Sequence, residues 1–93
     1  MKTEEAVRVG LAFGRAVKIK RVEIGLTQED FAEKTGLARS FVSGIERGAA
    51  KASTVTVWRL ADGLGCLPSQ LWQVAERLYI SSPNATDVSP GES

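Results

Sequence analysis

The sequence contains no histidine and only one cysteine among its 93 residues. Without histidine, a zinc site built from cysteine and histidine ligands is excluded, and a single cysteine cannot form a disulfide within the chain. Cys66 has apolar neighbours and no flanking cation, so we expect a structural thiol in the core and not a reactive one. We expect no metal and no cofactor.

Long apolar runs are also missing. No stretch approaches the roughly 20 apolar residues that a membrane-spanning helix needs, and Met1–Arg8 lacks the apolar centre of a signal peptide. We therefore expect a cytoplasmic protein without a membrane partner.

The sequence offers no histidine, no carboxylate pair expected to share a cleft and no glycine-rich phosphate loop before a helix. We do not expect an enzyme.

The composition that remains is that of a small globular domain. Hydrophobic residues make up 43% of the chain and charged residues 25%, close to the globular average. A chain of this size forms one domain with a modest core, which favours dimerisation. The net charge is only +1, but ten of the twelve bases and five of the eleven acids lie between Arg8 and Arg59. This segment carries the basic excess that a phosphate-facing surface needs, although a solvated basic face is an equal explanation.

Apolar periodicity predicts five helices and no strand. The predicted helix starts are Glu4 or Val9, Thr27, Ala38, Ser53 and Pro68. Glycine ends the first three helices and follows the fourth, because glycine readily adopts the positive φ of a helix C-terminus. We divide the chain into an N-terminal extension (1–8), a helical domain with a C-terminal dimerisation helix (9–80) and a disordered tail (81–93).

A helix-turn-helix is predicted between Gln28 and Arg47, in the segment QEDFAEKTGLARSFVSGIER. Ala32 is small where two helices must cross closely, Gly36 lies at the corner, and Val42 is at the centre of the second helix. Helices that cross at roughly 90–120° through a short turn can place the second helix in the DNA major groove. The alternative is an ordinary helical hairpin. The full pattern of cap, small residues and apolar positions favours the helix-turn-helix.

The stretches GLTQEDFAEKTGLARSFVSGIERG and VWRLADGLG resemble the lambda-repressor, Cro and Xre-like helix-turn-helix family, from about Phe13 to Leu71. The pairing of KIKRVEIGLTQED with FVSGIERG is most similar to the small controller proteins of restriction-modification systems. The resemblance implies an all-α fold, a compact five-helix bundle of the lambda-repressor-like DNA-binding type. It also implies a sequence-specific transcription regulator of the controller or repressor type.

The resemblance assigns roles to individual residues. The expected base contacts are Arg39, Ser40, Ser43 and Gly44. The expected contacts to the DNA backbone are Thr27, Gln28, Phe41, Arg47 and Lys51. Arg39 is the first candidate for base reading, since arginine can donate two hydrogen bonds to guanine. Gln28 is expected to bind a phosphate and to brace the recognition helix, whereas Phe41 could equally pack against the second helix. Arg21 and Glu46 are expected to form a structural salt bridge.

The same resemblance implies a homodimer that binds inverted-repeat operators through the major groove of double-stranded DNA. The expected dimer interface on the fifth helix is Leu71, Trp72, Ala75, Leu78 and Tyr79. Trp58 could contribute or could cap the core. Regulation would act by occupying a promoter or by contact with RNA polymerase. Two alternatives stay open: an antitoxin with autoregulatory DNA binding, and a helix-turn-helix-derived protein-interaction module.

Overall fold

The computed structural model describes residues 2–82 and consists of five α-helices in this range, without a strand. The helices are α1 Thr3–Glu23, α2 Gln28–Thr35, α3 Arg39–Glu46, α4 Thr54–Gly63 and α5 Pro68–Ser81. The predicted all-α, five-helix fold is therefore confirmed. Most of the predicted tail, residues 83–93, lies outside the described residues. No helix within residues 2–82 has the length and apolar content needed to cross a membrane.

Helix α1 begins at Thr3, so residues 3–8, which we expected to precede the domain, form its first turns. Glu4 and Glu5 lie in the first turn, where carboxylates interact favourably with the helix dipole. Gly10 and Gly14 lower helix propensity but do not interrupt α1. Tertiary packing explains this continuity, because α1 lies against both α3 and α5 along its length.

The core lies between the five helices and is built from the inward stripe of each. Its largest fully buried side chains are Phe31, Ile45, Leu60, Leu71, Val17 and Val42. Helix α1 packs mainly against α5 and α3, and α2 packs against α3 and α4. The helix-turn-helix formed by α2 and α3 is thus supported from both sides, and this support fixes the direction of α3.

Local signals set the geometry of the helix-turn-helix. The Thr27 hydroxyl accepts a hydrogen bond from the Asp30 N–H at 3.0 Å, and the Thr27 N–H donates to the Asp30 carboxylate at 3.5 Å. This reciprocal cap satisfies two backbone groups at the start of α2. Gly36 ends α2 with a φ of 75°, as predicted for the corner. The cap and the corner together fix where α3 begins.

Gly14 allows α1 to approach the backbone of α3 closely. A Cβ at this position would overlap the carbonyl oxygen of Ile45 and lie 2.9 Å from that of Glu46. Both obstacles are backbone atoms at the C-terminal end of α3, so no side chain could rotate away. The contact between α1 and α3 therefore depends on a residue without a side chain.

Candidate nucleic-acid interface

Helix α3 buries one face and exposes the other. Val42, Ile45 and Glu46 are buried, whereas Arg39 and Ser40 are exposed at the start of the helix. Residues four positions apart share a helix face, so Arg39 is followed on this face by the half-buried Ser43 and then by the exposed positions beyond the helix end. We call Arg39, Ser40 and Ser43 the exposed face of α3.

Gly44 does not belong to this face, and the expectation that it faces outward is wrong. Gly44 is buried, and a Cβ there would lie 3.1 Å from the Cβ of Ala50. Its carbonyl oxygen accepts hydrogen bonds from the N–H groups of Ala49 at 2.8 Å and Ala50 at 3.1 Å. The loop after α3 folds back over Gly44, so this residue is covered by its own chain.

A buried ion pair joins α1 to the end of α3. Arg21 Nε donates to Glu46 Oε2 at 2.6 Å, and Arg21 Nη2 donates to Glu46 Oε1 at 3.0 Å. Arg21 Nη1 also donates to the carbonyl oxygen of Leu26 at 2.6 Å. The family resemblance implied a salt bridge between these two side chains, and they form this bidentate contact in the structure. The bond to Leu26 extends the network to the turn before α2.

Gln28 adds α2 to the same network. Its side-chain Nε2 donates to Glu46 Oε1 at 3.0 Å, and the residue is half-buried. A glutamine amide carries two N–H groups, so one N–H engages Glu46 while the other is left for a second acceptor. Glu46 therefore receives donors from both α1 and α2, and the position of α3 is tied to both helices. The spacing of the sequence did not indicate that one carboxylate would serve both partners.

Basic side chains extend beyond the exposed face of α3. Arg47 and Lys51 are exposed after the end of the helix, and Thr27 is exposed at the start of α2. Within the described part of the chain, Arg39, Arg47 and Lys51 form no salt bridge. Phe41 is half-buried and packs against the core. The surface around α3 therefore presents guanidinium, ammonium and hydroxyl donors.

The expected dimer interface is only partly exposed. Leu71 and Ala75 have exposed fractions of 0% and 1%, so the expectation that they contact a second protomer is wrong. Their stripe on α5 packs inside the chain, where α5 meets α1. Leu78 and Tyr79 are half-buried. Trp72 is 39% exposed, and its ring lies 4.8 Å from that of Phe13.

Helix α4 carries a more exposed apolar pair. Trp58 is 67% exposed and Val55 is 62% exposed, one turn before it. Trp58 therefore does not cap the core, which was one of the two roles considered for it.

Cys66 is half-buried and packs against the core, as a structural thiol does. Within residues 2–82, no three histidine, cysteine, aspartate or glutamate side chains group as metal ligands would.

The sequence is similar to a known protein family and to several of its members. A model of the helix-turn-helix family matches residues 17–71, which include all of α2, α3 and α4. The control protein C.MunI from Mycoplasma sp is 31% identical over 70 residues, covering 74% of this chain and 95% of that protein. An uncharacterized HTH-type transcriptional regulator from Methanothermobacter thermautotrophicus is 37% identical over 49 residues, covering 53% of this chain and 71% of its own.

Solved structures agree with the sequence comparison. The restriction-modification controller protein C.AhdI from Aeromonas hydrophila shares 39% identity and a TM-score of 0.64, over 66% of this chain and 92% of that one. The controller protein C.Esp1396I, solved as a tetramer with its natural 35 base-pair operator, shares 26% identity and a TM-score of 0.73, over 78% of this chain and 96% of that one. The family model covers more than half of the sequence, and the chain therefore belongs to the helix-turn-helix family, in its Xre and lambda-repressor-like branch.

Proposed function

We propose that this protein is a transcription regulator that binds specific DNA sequences as a homodimer. The observation that carries the proposal is the exposed face of α3, which presents Arg39, Ser40 and Ser43 on a helix held at its other end by a buried ion pair. A fixed helix with free donors on its outer side has the form that major-groove reading requires. The operator complex of C.Esp1396I, a relative, supports the same use of the fold here.

Arg39 reads a guanine in this proposal. Its guanidinium is exposed at the first position of α3, and it can donate to guanine O6 and N7 in the major groove. Such a bidentate contact contributes about 1–3 kcal/mol of discrimination between bases. Ser40 and Ser43 add short hydroxyls that accept or donate at closer range. Gly44, covered by Ala50, takes no part.

Backbone contacts hold the protein in register. The second N–H of Gln28 donates to a phosphate while the first stays on Glu46, and Arg47 and Lys51 add positive charge after α3. The exposed Thr27 lies beside Gln28 at the start of α2 and completes this set. Phosphate contacts position a protein without reading sequence, and each contributes to the salt dependence of binding.

Dimerisation follows from the length of α3. Eight residues span about 12 Å, which corresponds to roughly four base pairs, and this is too short a sequence to select one genomic site. Two recognition helices about 34 Å apart would read an inverted repeat with half-sites one helical turn apart. We place the dimer contact on α4, through Val55 and Trp58, because they are 62% and 67% exposed, whereas the most exposed of the five residues expected on α5, Trp72, is only 39% exposed.

Transcription is then controlled by occupying a promoter or by contact with RNA polymerase from a neighbouring site. The proposal is tested by selecting bound duplexes from a random DNA pool, with the native protein and with Arg39→Ala. Arg77→Ala is the matched control, since it removes an exposed arginine from α5, away from both α3 and the proposed dimer contact. We expect Arg39→Ala to lose preference at one symmetric pair of base pairs and the control to retain the native motif. The same motif from all three proteins would refute the role of Arg39.

A further inference from the structure

A groove of about 560 Å³ lies between the N-terminal half of α1 and the loop after α3. Its lining includes Ala6 and Gly10 from α1, Ala49 and Ala52 from the loop, and Trp72 from α5. Small side chains on both walls leave this space open. Its volume falls within the range of roughly 300–1,000 Å³ that is common for small-molecule sites.

The lining of the groove includes an aromatic pair. Trp72 is 39% exposed, and its ring is held against Phe13 with a centroid distance of 4.8 Å and an interplanar angle of 38°. Val57 adds an aliphatic side chain to the same lining. A tryptophan that is anchored on one side and open on the other offers a flat surface on which a second ring can stack.

Lys51 is the one charged residue among the described residues that line the groove. Lys51 and Thr3 are exposed, and they supply an ammonium group and a hydroxyl. No aspartate or glutamate is among the lining residues. An apolar lining with a single cation is complementary to a molecule with a flat apolar body and one negative group.

We infer that this groove binds a small aromatic anion, such as an aromatic carboxylate or sulfonate, with its ring on Trp72 and its charge at Lys51. The groove shares Lys51 with the surface that we assign to DNA. A ligand that engages Lys51 competes with phosphate for the same ammonium group. Binding of the anion therefore weakens DNA binding, and this second step rests on the proposed function whereas ligand binding itself does not.

The first experiment measures ligand binding without DNA. The probes are 8-anilinonaphthalene-1-sulfonate and its uncharged relative N-phenyl-1-naphthylamine, and their fluorescence is followed during titration with the native protein. We expect saturable binding of one probe per chain. Ala6→Leu fills the groove and lowers the affinity for both probes at least tenfold. Val22→Leu, an exposed site on α1 outside the groove, leaves the affinity for both probes unchanged.

Charge recognition is tested separately. Lys51→Ala weakens binding of the sulfonate but not of the uncharged probe, whereas Lys34→Ala, which removes an exposed lysine from α2, affects neither. Circular dichroism melting verifies that each variant folds, and Lys51→Ala keeps the test valid if Ala6→Leu does not fold. Equal binding by native protein and Ala6→Leu, or an equal effect of Lys51→Ala on both probes, would overturn the inference. If the affinity for the probe falls as the protein concentration rises, the groove is occupied by a second copy of this chain, and this result would also overturn the inference.

The second experiment measures the affinity for the selected operator with and without saturating sulfonate. We expect the Kd for DNA to rise at least about fivefold, the lower end of typical coupling between two sites. The Kd of Ala6→Leu for DNA should not respond to the probe. An unchanged Kd with the groove occupied would refute the coupling. Failure of the protein to bind DNA without the probe would instead refute the proposed function, and the two failures are therefore distinguishable.

Discussion

Two glycines of α1 predict opposite effects of the same substitution. Gly10 and Gly14 lie one turn apart inside α1, and alanine at either position gains helix propensity of about 0.5–1 kcal/mol. At Gly10 the added Cβ would lie 3.4 Å from the carbonyl oxygen of Gly48, an ordinary contact distance. Gly10→Ala should therefore raise the free energy of unfolding by up to about 1 kcal/mol.

At Gly14 the same methyl group meets the backbone of α3. It would overlap the carbonyl oxygen of Ile45 and lie 2.9 Å from that of Glu46, so α1 and α3 must separate. Overpacking of this kind costs about 1–3 kcal/mol or more, and separation also loosens the buried contact between Arg21 and Glu46. We expect Gly14→Ala to lower the free energy of unfolding by about 2 kcal/mol after the gain in propensity.

Urea unfolding followed by circular dichroism measures both variants, at one protein concentration because dimerisation shifts apparent stability. For a domain of this size, a loss of about 2 kcal/mol corresponds to a fall in Tm of roughly 10 °C. Gly25→Ala separates strain from overpacking, because nothing lies within 4 Å of the added Cβ but its φ of 78° strains alanine; we expect it to lower the free energy of unfolding by about 1 kcal/mol. A Gly14→Ala variant as stable as Gly10→Ala would refute the proposed close packing of α1 on α3.

Three further predictions concern the network, the DNA backbone and the dimer. Glu46→Ala should lower the free energy of unfolding by about 3–5 kcal/mol, because it leaves the buried Arg21 guanidinium without its carboxylate partner. Adding Arg21→Ala to this variant should cause only a small further loss. Unchanged melting of Glu46→Ala would contradict this prediction. Arg47→Ala and Lys51→Ala should each lower the slope of log Kd against log salt by about 0.9 without changing the selected motif, and an altered motif would assign them to base reading instead. Trp58→Ala should sediment as a monomer at concentrations where the native protein is a dimer, whereas a dimeric variant would exclude α4 as the interface.

The sequence predicts most of the helix-turn-helix because its signals are local. The cap at Thr27 requires a hydroxyl and an acid three residues later, and the corner requires a residue that tolerates positive φ at Gly36. Apolar spacing is enough to assign Val42 and Ile45 to the core. These rules act within one or two turns, so they can be applied without knowledge of the rest of the chain.

The errors arise where distant segments meet. Gly44 is covered because the chain after Gly48 returns over α3, a path that helical periodicity does not encode. The apolar stripe on α5 was predicted to contact a second protomer, but Leu71 and Ala75 are buried in the core of their own chain. An amphipathic stripe indicates that a partner surface exists and does not identify that surface.

Methylation interference on the selected operator tests most directly whether the exposed face of α3 enters the major groove. Dimethyl sulfate places a methyl group on guanine N7, the atom that Arg39 is proposed to contact. We predict that methylation of one guanine in each half-site, about one helical turn apart, blocks binding of the native protein and has no effect on binding of Arg39→Ala. Interference that is identical for both proteins, or that is confined to minor-groove positions, would contradict the account.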